Sequence, residues 1–190
     1  MRYIVAALIA IGLIILFVIL LLRAIFGGGG EEGGQTPRRI NLADYENTGV
    51  IMRMITEGPV NANEVHEQVY IEVGRDMNKI QLVRGYQGEV TRTEQFGSNS
   101  SAYGSFLRAL DLLGYTNGNP SEALADYRGH CPFGNRYIYQ ILDGNDVKQQ
   151  FWSTSCGEGG TMRGQASEII QLFQAQIPNY NNITQDLSLD

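Results

Sequence analysis

The residues of this chain with the most chemistry to offer are its only two cysteines, Cys131 and Cys156, and its only two histidines, His66 and His130. The cysteines are 25 positions apart. Their midpoint falls in Asp143-Gly144-Asn145-Asp146, a strong turn signal, so a hairpin folded there brings both sulfurs to its open end. Residues nearly opposite at such an end can reach the Cα separation of roughly 5.5–6 Å that a disulfide requires. The spacing predicts a Cys131–Cys156 bond and an oxidising compartment, with two buried free thiols as the alternative.

The histidines make a weaker case. His66-Glu67-Gln68-Val69-Tyr70 comes within one residue of the zinc-protease pattern H-E-x-x-H, but Tyr70 stands where the second imidazole belongs. That motif also needs a helix, whereas this segment alternates like a strand, so His66 is expected to face solvent. His130 adjoins Cys131, yet neighbours on an extended chain point to opposite sides, and His130 reads as a loop residue. His66, Glu67 and His130 are the only weak acid-base candidates. The glycines at 157, 159, 160 and 164 lack the spacing of a phosphate loop, and Val147 interrupts any calcium loop after Asp146. No compact serine-nucleophile signature occurs, and no metal or cofactor is implied.

The elements that must position these residues follow from periodicity. Val50–Thr56 reads as a strand ending at Gly58-Pro59. In Glu64–Arg75, Val65, Val69, Ile71 and Val73 alternate with His66, Gln68, Tyr70 and Glu72, which predicts one buried face and one wet face. Lys79–Arg84 and Glu89–Gln95 make one bent strand or two short ones, broken at Gly85 and Gly88. A period of 3.6 takes over after Asn99 or Ser100, with Tyr103, Phe106, Leu107, Leu110 and Leu113 on one stripe and Gly114 as the stop. Asn119-Pro120-Ser121-Glu122 opens a short second helix to about Tyr127. A last helix over 165–176 turns Ala166, Ile169, Ile170 and Phe173 inward.

With Gly144-Asn145 as its loop, the hairpin sets Ile138 opposite Phe151 and Tyr137 opposite Trp152. Tyr137, Tyr139 and Trp152 then share a face, either an aromatic recognition surface or, with Ile141 beside them, the sheet side of the core. Strands in blocks, without β-α-β alternation, indicate an α+β domain: a three-strand antiparallel meander plus the hairpin, with two to three helices.

Ahead of this domain, Tyr3–Leu22 carries no charge and is framed by Arg2 and Arg23. A helix of that length covers the roughly 30 Å bilayer core, so residues 1–26 are expected to form an uncleaved, single-span signal anchor. Residues 27–39 are glycine-rich and lack apolar side chains, as a flexible tether does. Residues 40–178 form the domain, and 179–190 a mobile polar tail. The domain from Ile40 onward holds 10 basic and 18 acidic residues, a net of −8, which disfavours nucleic acid and anionic lipid headgroups as partners.

Basic residues flanking the span lean towards a cytoplasmic domain, while the cysteine pair favours the outside. The combination implies an anchored, extracytoplasmic binding or assembly module of a bacterial-type envelope with a protein or envelope partner. An enzyme with an unrecognised site and a cytoplasm-facing adaptor are the alternatives.

Overall fold

The computed structural model describes residues 40–121, 124–157, 159–187 and 189. The strands are β1 (Ile51–Glu57), β2 (Glu67–Val73), β3 (Met77–Arg84), β4 (Glu89–Gly97), β5 (Arg136–Asp143) and β6 (Asp146–Thr154). The helices are α1 (Ser100–Leu112), α2 (Ala166–Gln174) and α3 (Tyr180–Thr184). All six strands join one antiparallel sheet in the order β4-β3-β2-β1-β5-β6. The α+β class is as expected, but the meander has four strands. Gly85 (φ +72°) and Gly88 (φ +78°) supply the left-handed positions that turn β3 into β4.

The anchor expected over residues 1–26 and the tether over 27–39 lie outside the described residues. Among those described, no helix is long and apolar enough to cross a membrane.

The helices cover one face of the sheet. Met52 and Met54 of β1, Val69, Ile71 and Val73 of β2, and Tyr139 and Ile141 of β5 meet Tyr103, Phe106, Leu107 and Leu110 of α1 and Ile169 and Phe173 of α2. Phe106 and Phe173 pack edge to face, 5.2 Å between centroids. Each fully buried apolar side chain here contributes about 1.5–3 kcal/mol, which is what fixes the helices to the sheet. Asn99 caps α1 by accepting from the Ala102 amide. Gly114 (φ +75°) ends it: its amide donates to Asp111 O and that of Tyr115 to Leu110 O, the paired C-terminal bonds of a Schellman motif.

Two expected elements differ. The short helix after Asn119 is cut short: Asn119 Oδ1 accepts from the Ser121 amide, as a capping Asn does, and Leu124 is 3-10 helical with its amide donating to Ser121 O, but residues 125–127 are not helical. Asn119 N donates to Thr161 O and holds the start of this turn against the 161–162 segment, where Gly118 bridges Met162. The tail read as polar and mobile instead carries α3, with Ile183 buried and Leu187 packed against the core.

The hairpin register is corrected by one residue. Leu142 pairs with Val147 beside the turn, but Ile141 pairs with Gln149, leaving Lys148 as a bulge. Every later pair shifts, so Tyr139 lies opposite Phe151 and Ile138 opposite Trp152. Because strand side chains alternate, Tyr137 and Tyr139 go under the helices while Trp152 goes to the reverse face. Tyr137, Tyr139 and Trp152 therefore do not form a shared aromatic surface.

Cys131 and Cys156 are joined, with a Cα separation of 5.8 Å. The turn Cys131–Gly134 returns Cys131 to the hairpin end. A Cβ at Gly134 would sit 2.5 Å from Ser155 Oγ and 2.8 Å from Cys131 Sγ, so only glycine fits under the bridge.

Candidate functional site

The face of the sheet turned away from the helices carries the site. Alternation sends Ile55 of β1, Tyr70 of β2, Ile138 of β5 and Trp152 of β6 to this side in one cross-strand row, and Ile55, Ile138 and Trp152 form a small second core. The long connection from α1 to β5 lies across its β5–β6 half: Trp152 Nε1 donates to Leu124 O at 2.7 Å, and the His130 ring lies 4.8 Å from the indole. Over β1 and β2 a cleft of about 660 Å³ remains open, bounded by this connection, the 58–60 segment and the β3–β4 turn. Its size falls within the range of small-ligand pockets.

A charged cluster forms the cleft's floor and one end. Glu57 is paired across strands with Gln68 and Arg136. Its Oε1 lies 3.3 Å from His66 Nε2 and its Oε2 lies 3.5 Å from Arg136 Nε. Arg136 is 1% exposed. Its Nη2 donates to Gly58 O at 2.6 Å, and its Nη1 to the carbonyls of His130 and Cys131 at 3.3 and 3.4 Å, tying the disulfide loop to the end of β1. Nε finds no hydrogen-bond acceptor. Glu57 accepts no hydrogen bond with proper geometry among the described residues, although Arg136 and His66 flank it. Arg136 Nε is buried and faces Glu57, so of this pair the carboxylate is the group with bonding capacity to spare.

His66 is fully buried, contrary to its expected solvent-facing position. The expected alternation begins too early: a turn at 62–66, closed by His66 N to Ala62 O, precedes β2, leaving Val65 exposed and folding the imidazole inward. Its Nδ1 donates to Pro59 O at 3.1 Å, and its Nε2 faces both the Gln68 amide nitrogen at 3.2 Å and Glu57. A neutral ring accepts from Gln68; a protonated one donates to Glu57, with the Gln68 amide turned over. One nitrogen cannot do both at once, so Gln68 and Glu57 compete for it.

Tyr86, in the β3–β4 turn, stacks on His66 with centroids 3.9 Å apart and planes 12° from parallel. Its hydroxyl donates to Asn61 O and accepts from Asn61 N, while its backbone amide donates to Asn63 Oδ1. The residue is nevertheless 48% exposed. Tyr70 and Tyr127 line the cleft beside it. Burial raises the Tyr70 phenol above its ordinary value, opposed by the Arg53 guanidinium and reinforced by Glu57. Burial, then Glu57 and Tyr70, does the same for Tyr127 against the opposing pull of Arg128 and Arg136. Both remain neutral hydrogen-bonding groups at physiological pH.

The expected acid-base candidates are not brought together. Glu67 points to the opposite face from Gln68 and lies 3.9 Å from Arg84, and His130 is held on Trp152 at the far wall. Sequence reasoning missed Glu57 and Arg136, the one just past the end of the first expected strand and the other at the start of the hairpin. The available signal was parity: both fall on the same side as Ile55 and Ile138, apolar residues a solvated face would not need. Among the described residues, no group of three or more His, Cys, Asp or Glu is placed to hold a metal ion.

The chain matches no protein-family model, and no curated protein matches it. Function rests on the residues themselves.

Proposed function

We propose that this protein is a single-pass, membrane-anchored binding module whose domain works outside the membrane of a bacterial-type envelope and takes its ligand in the cleft over β1 and β2. The observation that carries the reading is the cleft itself, where the Glu57 carboxylate keeps acceptor capacity in the same lining as a preset aromatic ring, Tyr86. The disulfide supports an oxidising compartment. The charge-free run Tyr3–Leu22 supports the anchor.

A second reading, an envelope enzyme, is favoured by the Glu57–His66 contact at 3.3 Å, a carboxylate beside an imidazole. It is the weaker of the two, because His66 lies beneath Tyr86 with no exposure and only Glu57 can meet a substrate.

In a deletion strain, the Tyr86→Ala, Glu57→Gln double variant should accumulate in the membrane yet fail to restore the cellular role. Full rescue by that variant would show that the cleft is not the working site. An enzyme would instead lose its role with Glu57→Gln alone while keeping full ligand affinity.

A further inference from the structure

We infer that the cleft binds a neutral saccharide; the inference rests on the binding-module reading above and names its ligand class. Tyr86 is the first reason. An aromatic side chain half open to solvent normally samples several rotamers, but this one is fixed by His66 beneath it and by Asn61 at its hydroxyl. The ordering entropy is lost on folding rather than on binding, as in a preorganised recognition surface. The free face of such a ring suits the C–H face of a pyranose, which is apolar and flat.

The second reason is the hydrogen-bonding character of the floor. A hydroxyl both donates and accepts, and the cleft lining offers an acceptor, Glu57, together with a donor, the Tyr127 phenol. Adjacent sugar hydroxyls can use both without bringing charge. A charged ligand would upset a cluster in which Glu57 is already flanked by Arg136 and His66, and an anionic polymer also meets a domain of net charge −8.

The third reason separates a sugar from a peptide. Extended peptides gain affinity chiefly by adding a strand to an open sheet edge. The floor strands β2 and β1 are interior strands with both ladders occupied, so no backbone groups are free to pair. Recognition here must run through side chains, which suits a ligand made of rings and hydroxyls.

The test uses the full chain in lipid nanodiscs, since glycoside detergents would compete. Neutral oligomers of glucose, xylose, mannose and N-acetylglucosamine, four to six units each, are titrated calorimetrically beside oligogalacturonate as an anionic control. The inference expects at least one neutral oligomer to bind with Kd below about 1 mM. Measured at a temperature where circular dichroism shows each variant folded, Tyr86→Ala and Glu57→Gln should each weaken it about tenfold or more, and Tyr86→Phe should retain it. Binding of the anionic control alone, no binding at all, or binding indifferent to Tyr86→Ala and Glu57→Gln would overturn the inference. If no neutral sugar binds yet the double variant still fails to rescue the deletion strain, the saccharide class is wrong and the cleft stands. If the double variant rescues, the cleft itself is wrong.

Discussion

Replacing Arg136 with methionine tests how the cleft is held together. The guanidinium is 1% exposed, donates to three backbone carbonyls from two different segments, and is the closest cation to Glu57 Oε2. Methionine fills much of the same volume, so the loss is electrostatic rather than a cavity. It leaves Glu57 without its guanidinium partner and Gly58 O without its donor. Breaking a buried pair from one side costs about 3–5 kcal/mol. For a domain of this size that corresponds to a fall in melting temperature of roughly 6–20 °C, at about 2–4 °C per kcal/mol.

Neutralising the partner should recover part of the loss. Glu57→Gln with Arg136→Met is expected to be less destabilised than the sum of the single variants by about 0.5–3 kcal/mol, the usual coupling between residues in contact. Urea unfolding of the full chain, followed by near-ultraviolet circular dichroism, measures each corner of the cycle. A cost below about 1 kcal/mol for Arg136→Met, the level of an exposed pair, would refute the assignment of Arg136 as the buried fastener between β1 and the disulfide loop.

Cys131→Ser and Cys156→Ser should each lower stability by roughly 3.5 kcal/mol, the chain-entropy value for a closed loop of this length, and the double variant by no more than either alone; additive losses in calorimetry would contradict a shared bond. Burial holds the phenols of Tyr103, Tyr115 and Tyr139 well above their ordinary range. The unfolded chain therefore releases these protons first, so stability should be intact below about pH 10 and fall as pH rises further, with tyrosinate absorbance from these three appearing only as the domain unfolds. Gly118→Ala places a Cβ 2.4 Å from the Phe151 ring and should cost about 1–3 kcal/mol through overpacking; an unchanged unfolding midpoint would show that the loop can retreat.

How much of this was legible in the sequence depended on how many residues supported each inference. The helix over Tyr103–Leu110 rested on a stripe, a cap and a stop that all agreed, and it stands where expected. The disulfide rested on a symmetry tolerant of a one-residue slip and survived the Lys148 bulge. The aromatic face did not tolerate that slip, since a single inserted residue exchanges the two sides of a strand, and no local feature marks Lys148 as the insertion. The site was largely hidden for a related reason. Glu57, His66, Tyr86 and Arg136 come from four separate stretches, and only the sheet order β3-β2-β1-β5 brings them together. His66 misled because the turn at 62–66 interrupts an alternation that continues cleanly through Val69, Ile71 and Val73.

The claim most in need of a direct measurement is that a disulfide-closed binding domain stands outside the membrane. Leu112 at the end of α1 is 83% exposed, so a cysteine there should leave the fold unchanged. The account predicts that Leu112→Cys is labelled by a membrane-impermeant maleimide in intact spheroplasts, while the unsubstituted chain remains unlabelled even after lysis and denaturation without reductant. Labelling of Leu112→Cys only after lysis, or of the unsubstituted chain at Cys131 and Cys156 without reduction, would contradict it.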